Sequence, residues 1–110
     1  MERFEELVGD ALDAIPPELG RLMDNVAVLV KEGSPGSTLL GRYDGIPLTE
    51  RDAGYEGMVV PDRITIFRQP ILATCQDEDE VRVQVRITVV HEVAHHFGID
   101  DERLHELGWA

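Results

Sequence analysis

The twenty residues from Glu78 to Phe97, EDEVRVQVRITVVHEVAHHF, constrain the fold more than any other part of the chain. Their first half alternates apolar and polar residues and is rich in β-branched side chains, a pattern that favours a strand. The same letters also carry a helical stripe: Val83, Ile87, Val90, Ala94 and Phe97, spaced four, three, four and three. That stripe runs unbroken into His-Glu-x-x-His, where the alternation fails. Asp77 and Glu80 have the spacing of a capping box, and Gly98 suits the residue that ends a helix. We therefore expect one helix over about 78–97. Val81, Val85 and Val89 lie on another side, so the helix is expected to be central, packed between layers.

The preceding residues divide into short elements. Phe4, Leu7, Val8, Ala11, Leu12 and Ile15 recur at helical spacing, which predicts an amphipathic helix over 2–15 ended by Pro16 and Pro17. Pro17 opens a short second helix through Met23. Val26–Glu32 reads as a buried strand, GSPGS (33–37) as a loop, and Thr38–Tyr43 as a second strand turned by Asp44-Gly45. Residues 46–61 read as irregular, Arg63–Phe67 as a third strand, and Pro70–Cys75 as a helical turn. Neither a repeat nor an interdomain linker is visible, so residues 1–110 are expected to form a single domain.

Charge and cysteine content narrow the function classes. Ten Lys and Arg against 22 Asp and Glu give a net charge of -12, the wrong sign for gripping phosphates or anionic lipids. We expect neither nucleic acid nor a membrane as partner. Cys75 is the one cysteine, which excludes an intramolecular disulfide and suits a reducing, cytoplasmic compartment. It reads as a small buried hydrophobe. The N-terminus is charged where a signal peptide needs an apolar run.

The four histidines all fall within residues 91–105. His91 and His95, four apart, project from adjacent turns of one helix face, and each can offer a ring nitrogen to one shared zinc ion. Gln84 and Thr88 share that face, which opens into a cleft. Glu92 is offset from the pair, poorly placed as a ligand but able to reach a zinc-activated water and take its proton. Catalytic zinc sites typically use three protein ligands plus water. Gly98 lets the chain turn sharply, and Asp101, six residues after His95, can return a carboxylate to the metal; Asp100 is the alternative. The pattern is His-Glu-x-x-His-x-x-Gly-x-x-Asp. If 101–107 is helical, His105 shares a face with Asp101 and is ligand, outer partner or oxyanion donor. His96 reads as a packing residue or an outer partner of the ligands.

The run RITVVHEVAHHFGIDDERLHELGW, with LLGRYDGIPLTERD and PDRITIFRQPIL before it, resembles the small bacterial family of minimal zincins, metallopeptidases close to this length. The resemblance covers most of the chain from Val26 onward. It implies an α+β, zincin-like fold: a small mixed β-sheet packed on a central motif helix, with flanking N- and C-terminal helices. It implies one zinc ion on His91, His95 and Asp101, and Glu92 as the catalytic base.

Full-size metzincins have a Met-turn beneath the metal; here nine residues follow Asp101, and none is Met. There is also no second lobe to build a far wall, so a homo-oligomer or a partner protein is a candidate to complete the cleft. Leu104, Leu107 and Trp109 read as covers over the core. Tyr43, Tyr55 and His105 are candidate donors for the developing oxyanion, and Arg63–Phe67 is a candidate sheet edge for pairing with an extended substrate. The expected activity is zinc-dependent hydrolysis of peptides or unfolded protein. The alternatives are a non-catalytic zinc- or peptide-binding module on the same scaffold, and a metal-free acidic interaction protein.

Overall fold

The computed structural model describes residues 2–21, 23, 26–34, 36–46 and 61–107, and all that follows concerns these. Most of the irregular segment 46–61, with Tyr55, lies outside them, as do Trp109 and the side chains of Leu104 and Leu107. The element order is α1 (Glu2–Asp13), α2 (Pro17–Gly20), β1 (Val26–Lys31), β2 (Gly41–Asp44), β3 (Asp62–Phe67), α3 (Arg68–Ala73), α4 (Glu78–His96) and α5 (Asp101–Leu107). The architecture is α+β, a small mixed sheet with helices packed on it, as expected.

The long segment is indeed helical. The Asp77 carboxylate accepts from the Glu80 amide at 2.9 Å, and Glu80 reaches back to the Gln76 amide at 2.6 Å, one residue earlier than in the usual reciprocal box. The first of these bonds occupies a donor that the first turn leaves without a helical partner, and the second ties the residue before the cap to the helix. Packing between layers was expected for both apolar sides of α4, and the structure covers one of them more fully than the other. Val83 is 55% exposed and Ile87 43% exposed, whereas Val85 and Val89 are fully buried and Val81 and Val93 nearly so. Both sides of the helix are apolar, so periodicity alone does not choose between them. The choice is made by shape: α4 packs on α1 and on β2 and β3, and the Val81–Val85–Val89 side faces that core with Phe4, Leu7, Val8, Ile64, Ile66 and Ile71. Ile87 and Val90 instead line an open apolar groove shared with Ala14, Ile15 and Leu19.

The sheet also corrects one expectation. Its order is β1-β3-β2, so β3 is the central strand and not an edge. β1 pairs with it in parallel, Val28 opposite Ile64, and β2 antiparallel, Tyr43 opposite Ile64 and Gly41 opposite Ile66. A strand paired on both sides is satisfied in its own backbone and cannot take on a further strand. Pairing puts Gly41, Tyr43, Asp62, Ile64 and Ile66 on one face of the sheet, by the two-residue repeat of strand side chains. That face packs on α4. β2 starts three residues later than expected and includes Asp44, so the turn begins at Gly45. α1 ends at Asp13, two residues early, with the last turn tightened by the Ile15 amide on the Leu12 carbonyl at 3.1 Å. No described helix is long and apolar enough to cross a membrane.

The burial of α4 makes a testable contrast. Val85→Ala is expected to cost about 2 kcal/mol or more of unfolding free energy, since the two lost methyls leave a void. Val83→Ser, on the exposed stripe, is expected to change it by less than about 0.5 kcal/mol. Urea midpoints of the two variants check this; a larger loss at Val83 would mean that the stripe is core.

Candidate metal centre

The C-terminus of α4 is shaped by one glycine. Gly98 has φ of +84°, a conformation that a side chain disfavours. Its amide bonds the His95 carbonyl at 2.9 Å and the next amide, Ile99, bonds the Ala94 carbonyl at 3.0 Å. This is the Schellman arrangement, and it reverses the chain beside the last turn of α4. The two acids that follow then divide between two tasks. The Asp100 carboxylate accepts from the Arg103 amide at 2.9 Å and so caps α5. Asp101, the first residue of α5, turns its carboxylate to the histidines.

One oxygen of Asp101 lies 3.1 Å from His91 Nε2 and 3.2 Å from His95 Nε2. The three side chains offer donor atoms all within 4.8 Å of one another. The His95 tautomer follows from its other nitrogen. Nδ1 is 3.0 Å from the Ile99 carbonyl, which can only accept, so Nδ1 carries the proton. In the neutral ring His95 Nε2 then turns a lone pair toward the Asp101 oxygen, a disposition that suits a cation held between them. Zinc fits the two nitrogen–oxygen distances: ligands about 2.0–2.1 Å from a tetrahedral ion stand about 3.3 Å apart. His91 is likewise disposed to ligate. Burial, and then the neighbouring His95, hold its pKa below the ordinary histidine value, which favours the neutral ring that a metal requires.

Glu92 sits beside these donors and is only 6% exposed. Burial raises its pKa above the ordinary glutamate value, making the carboxylate a stronger base. The edge strand lies directly on it. A Cβ at Gly41 would meet Thr88 Cγ2 at 2.7 Å and the Glu92 carboxylate at 3.2 Å, so only glycine lets β2 approach α4 this closely. Leu39, Gly41, Tyr43, His91, Glu92, His95 and Asp101 together line an open cleft of about 500 Å³.

The other candidates fall elsewhere. His105 is exposed on α5 and does not join the donor group. His96 is fully buried and turned away, its Nδ1 2.9 Å from Asp62 Oδ2. Tyr43 lines the cleft, but its hydroxyl donates to the same Asp62 oxygen at 2.6 Å. Tyr55 lies outside the described residues. Sequence reasoning missed Asp62, the Ile99 carbonyl and the contact of Gly41 with Glu92. A glycine inside a strand was a usable sign of close backbone approach; the other two carried no signal.

Residues 23–109 match the zincin-like metallopeptidase family. The chain belongs to that family. Among curated proteins none matches this zincin-like chain. Its fold is similar to that of a solved structure, a conserved hypothetical protein from Thermus thermophilus, with 23% identity and a TM-score of 0.56. The similarity covers 97% of this chain and 95% of the other, and at that identity it speaks for the zincin-like fold alone.

The division between the two acids is open to test by zinc titration. Asp101→Ala is expected to weaken zinc binding by more than about 100-fold, beyond the range seen when only an outer partner of a ligand is lost. Asp100→Ala should leave zinc bound and cost about 1 kcal/mol of stability through the lost cap. The reverse ranking would make Asp100 the third donor.

Proposed function

We propose that this chain is a zinc-dependent peptidase that hydrolyses backbone amides in extended peptides or unfolded protein segments. In this reading one zinc ion is held by His91, His95 and Asp101, and Glu92 is the general base. The observation that carries it is the buried Glu92 carboxylate lying beside three converging metal donors in an open cleft. A purely structural zinc site would more commonly be closed by a fourth protein ligand, and His105 does not join the group.

A bound zinc supplies Lewis acidity, polarising a carbonyl oxygen and acidifying a water molecule. The remaining chemistry belongs to this chain. The Glu92 carboxylate takes a proton from the attacking water and later returns it to the leaving amine nitrogen, acting as base and then as acid. The desolvation that raises its pKa suits it to both steps. The Ile99 carbonyl holds His95 in the tautomer that leaves Nε2 free. Tyr55 and His105 are the proposed alternatives for the donor to the developing oxyanion.

Among the described residues β2 is an edge strand, and its Gly41 and Tyr43 line the cleft. An extended peptide paired along β2 would pass over the metal donors, held mainly through its backbone. That mode tolerates many sequences and suits unfolded segments. A reducing, cytoplasmic setting is proposed from the single cysteine. The whole chain is read as one zincin-like domain, with a second copy or partner as the candidate for the cleft's far wall.

Glu92→Gln separates chemistry from metal binding. The amide keeps the shape but cannot accept the proton, so turnover of fluorescein-labelled casein should fall by about 10²–10⁴-fold. Zinc should remain bound at one equivalent. Turnover equal to that of the parent would remove Glu92 as the base.

A further inference from the structure

We infer that Asp62 is a positioning residue of this site: it sets the gap between the edge strand β2 and the motif helix α4, and so governs how a peptide lies over the metal donors. The inference rests on the peptidase reading above.

Asp62 opens β3 and is 1% exposed. Among the described residues its carboxylate gathers Tyr43, Ile46 and His96. Oδ2 accepts from the Tyr43 hydroxyl at 2.6 Å and from His96 Nδ1 at 2.9 Å, and Oδ1 accepts from the Ile46 amide at 3.4 Å. His96 is the residue next to the metal donor His95, in the last turn of α4. Tyr43 is in the edge strand, and Ile46 lies just beyond it. The backbone passes so close over the carboxylate at Gly45 that a Cβ there would overlap Asp62 Cγ at 2.4 Å. The rings of Tyr43 and His96 meet edge-on, 6.1 Å between centroids.

A buried carboxylate is expensive unless several donors satisfy it, so this one is a rigid joint more than a filler of space. β2 is four residues long and, among the described residues, has one hydrogen-bonded neighbour. Its distance from α4 is set at one end by the contact of Gly41 with Glu92 and at the other by Asp62. A peptide paired on β2 would lie about 4.8 Å beyond it. A lateral shift of β2 by an ångström therefore shifts the peptide by as much relative to the metal donors, enough to matter for reaction geometry. Asp62 touches neither metal nor peptide; it acts through Tyr43 and His96.

The test uses the zinc-loaded full chain and two hydroxamates. Acetohydroxamate grips the metal alone, whereas a tetrapeptidyl hydroxamate also lies along β2. Tyr43→Phe and Asp62→Asn are expected to keep one equivalent of zinc and the parent's acetohydroxamate affinity. Both should lose about tenfold in peptidyl hydroxamate affinity, the order of one well-placed hydrogen bond. The double variant should lose little more than either single one, because the two changes break the same joint. Should Asp62→Asn fail to fold, Tyr43→Phe decides alone. Full retention of the peptidyl advantage overturns the inference. So does an equal loss with both probes, which is what a merely structural role gives. A parent chain that takes up no zinc overturns the peptidase reading itself, before any variant is compared. A parent that takes up zinc without any peptidyl advantage removes pairing along β2, and the role of Asp62 with it.

Discussion

The structure depends on one buried contact: the valine side of α4 against α1 and the sheet. Val85 and Val89 are shielded completely there, with Phe4, Ile64, Ile66 and Ile71 around them. In a chain of 110 residues this core is modest, so the long helix is both its centre and the carrier of the candidate site residues. The contact fixes the rotation of α4. Once the valines point inward, Glu92 and His96 follow toward the sheet, and His91 and His95 emerge at the rim of the cleft. The placement of these side chains is thus inherited from the packing of α4 on α1 and the sheet.

The end of the helix completes the arrangement at little length. Gly98 reverses the chain, Ile99 offers its carbonyl to His95, Asp100 caps the next helix, and Asp101 faces both imidazoles. Four consecutive residues thus supply a turn, an orienting acceptor, a cap and a donor. The buried joint of Asp62 with Tyr43 and His96 ties the same helix end to the sheet. Membership of the zincin-like metallopeptidase family agrees with a fold in which such a short segment carries so much of the site.

Much of this was legible before any coordinates. The order of elements, the capping box at Asp77 and Glu80, and the glycine stop at Gly98 follow from local chemistry, which acts within a few residues and leaves its mark in spacing. His91, His95 and Asp101 were legible for the same reason: a helix and one turn bring them together. What was not legible depends on partners distant in the chain. α4 has two apolar sides, and periodicity does not say that Val83 and Ile87 face outward. Arg63–Phe67 looked like an edge because strand order leaves no trace in a short apolar run, yet β3 is central. Asp62 looked like an ordinary acid before a strand, and its burial becomes visible only when β2, β3 and α4 are together. Spacing favours Asp101 over its identical neighbour Asp100, and the cap that Asp100 makes on α5 is what the structure adds.

The most direct test of the central claim is a crystal structure of the zinc-soaked protein, with anomalous diffraction measured on both sides of the zinc absorption edge. The account predicts one peak bounded by Nε2 of His91, Nε2 of His95 and a carboxylate oxygen of Asp101, each at about 2.0–2.2 Å, with at least one position open to the cleft beside Glu92. A peak closed by a fourth protein ligand such as His105, or density for zinc away from the histidine pair, would contradict it.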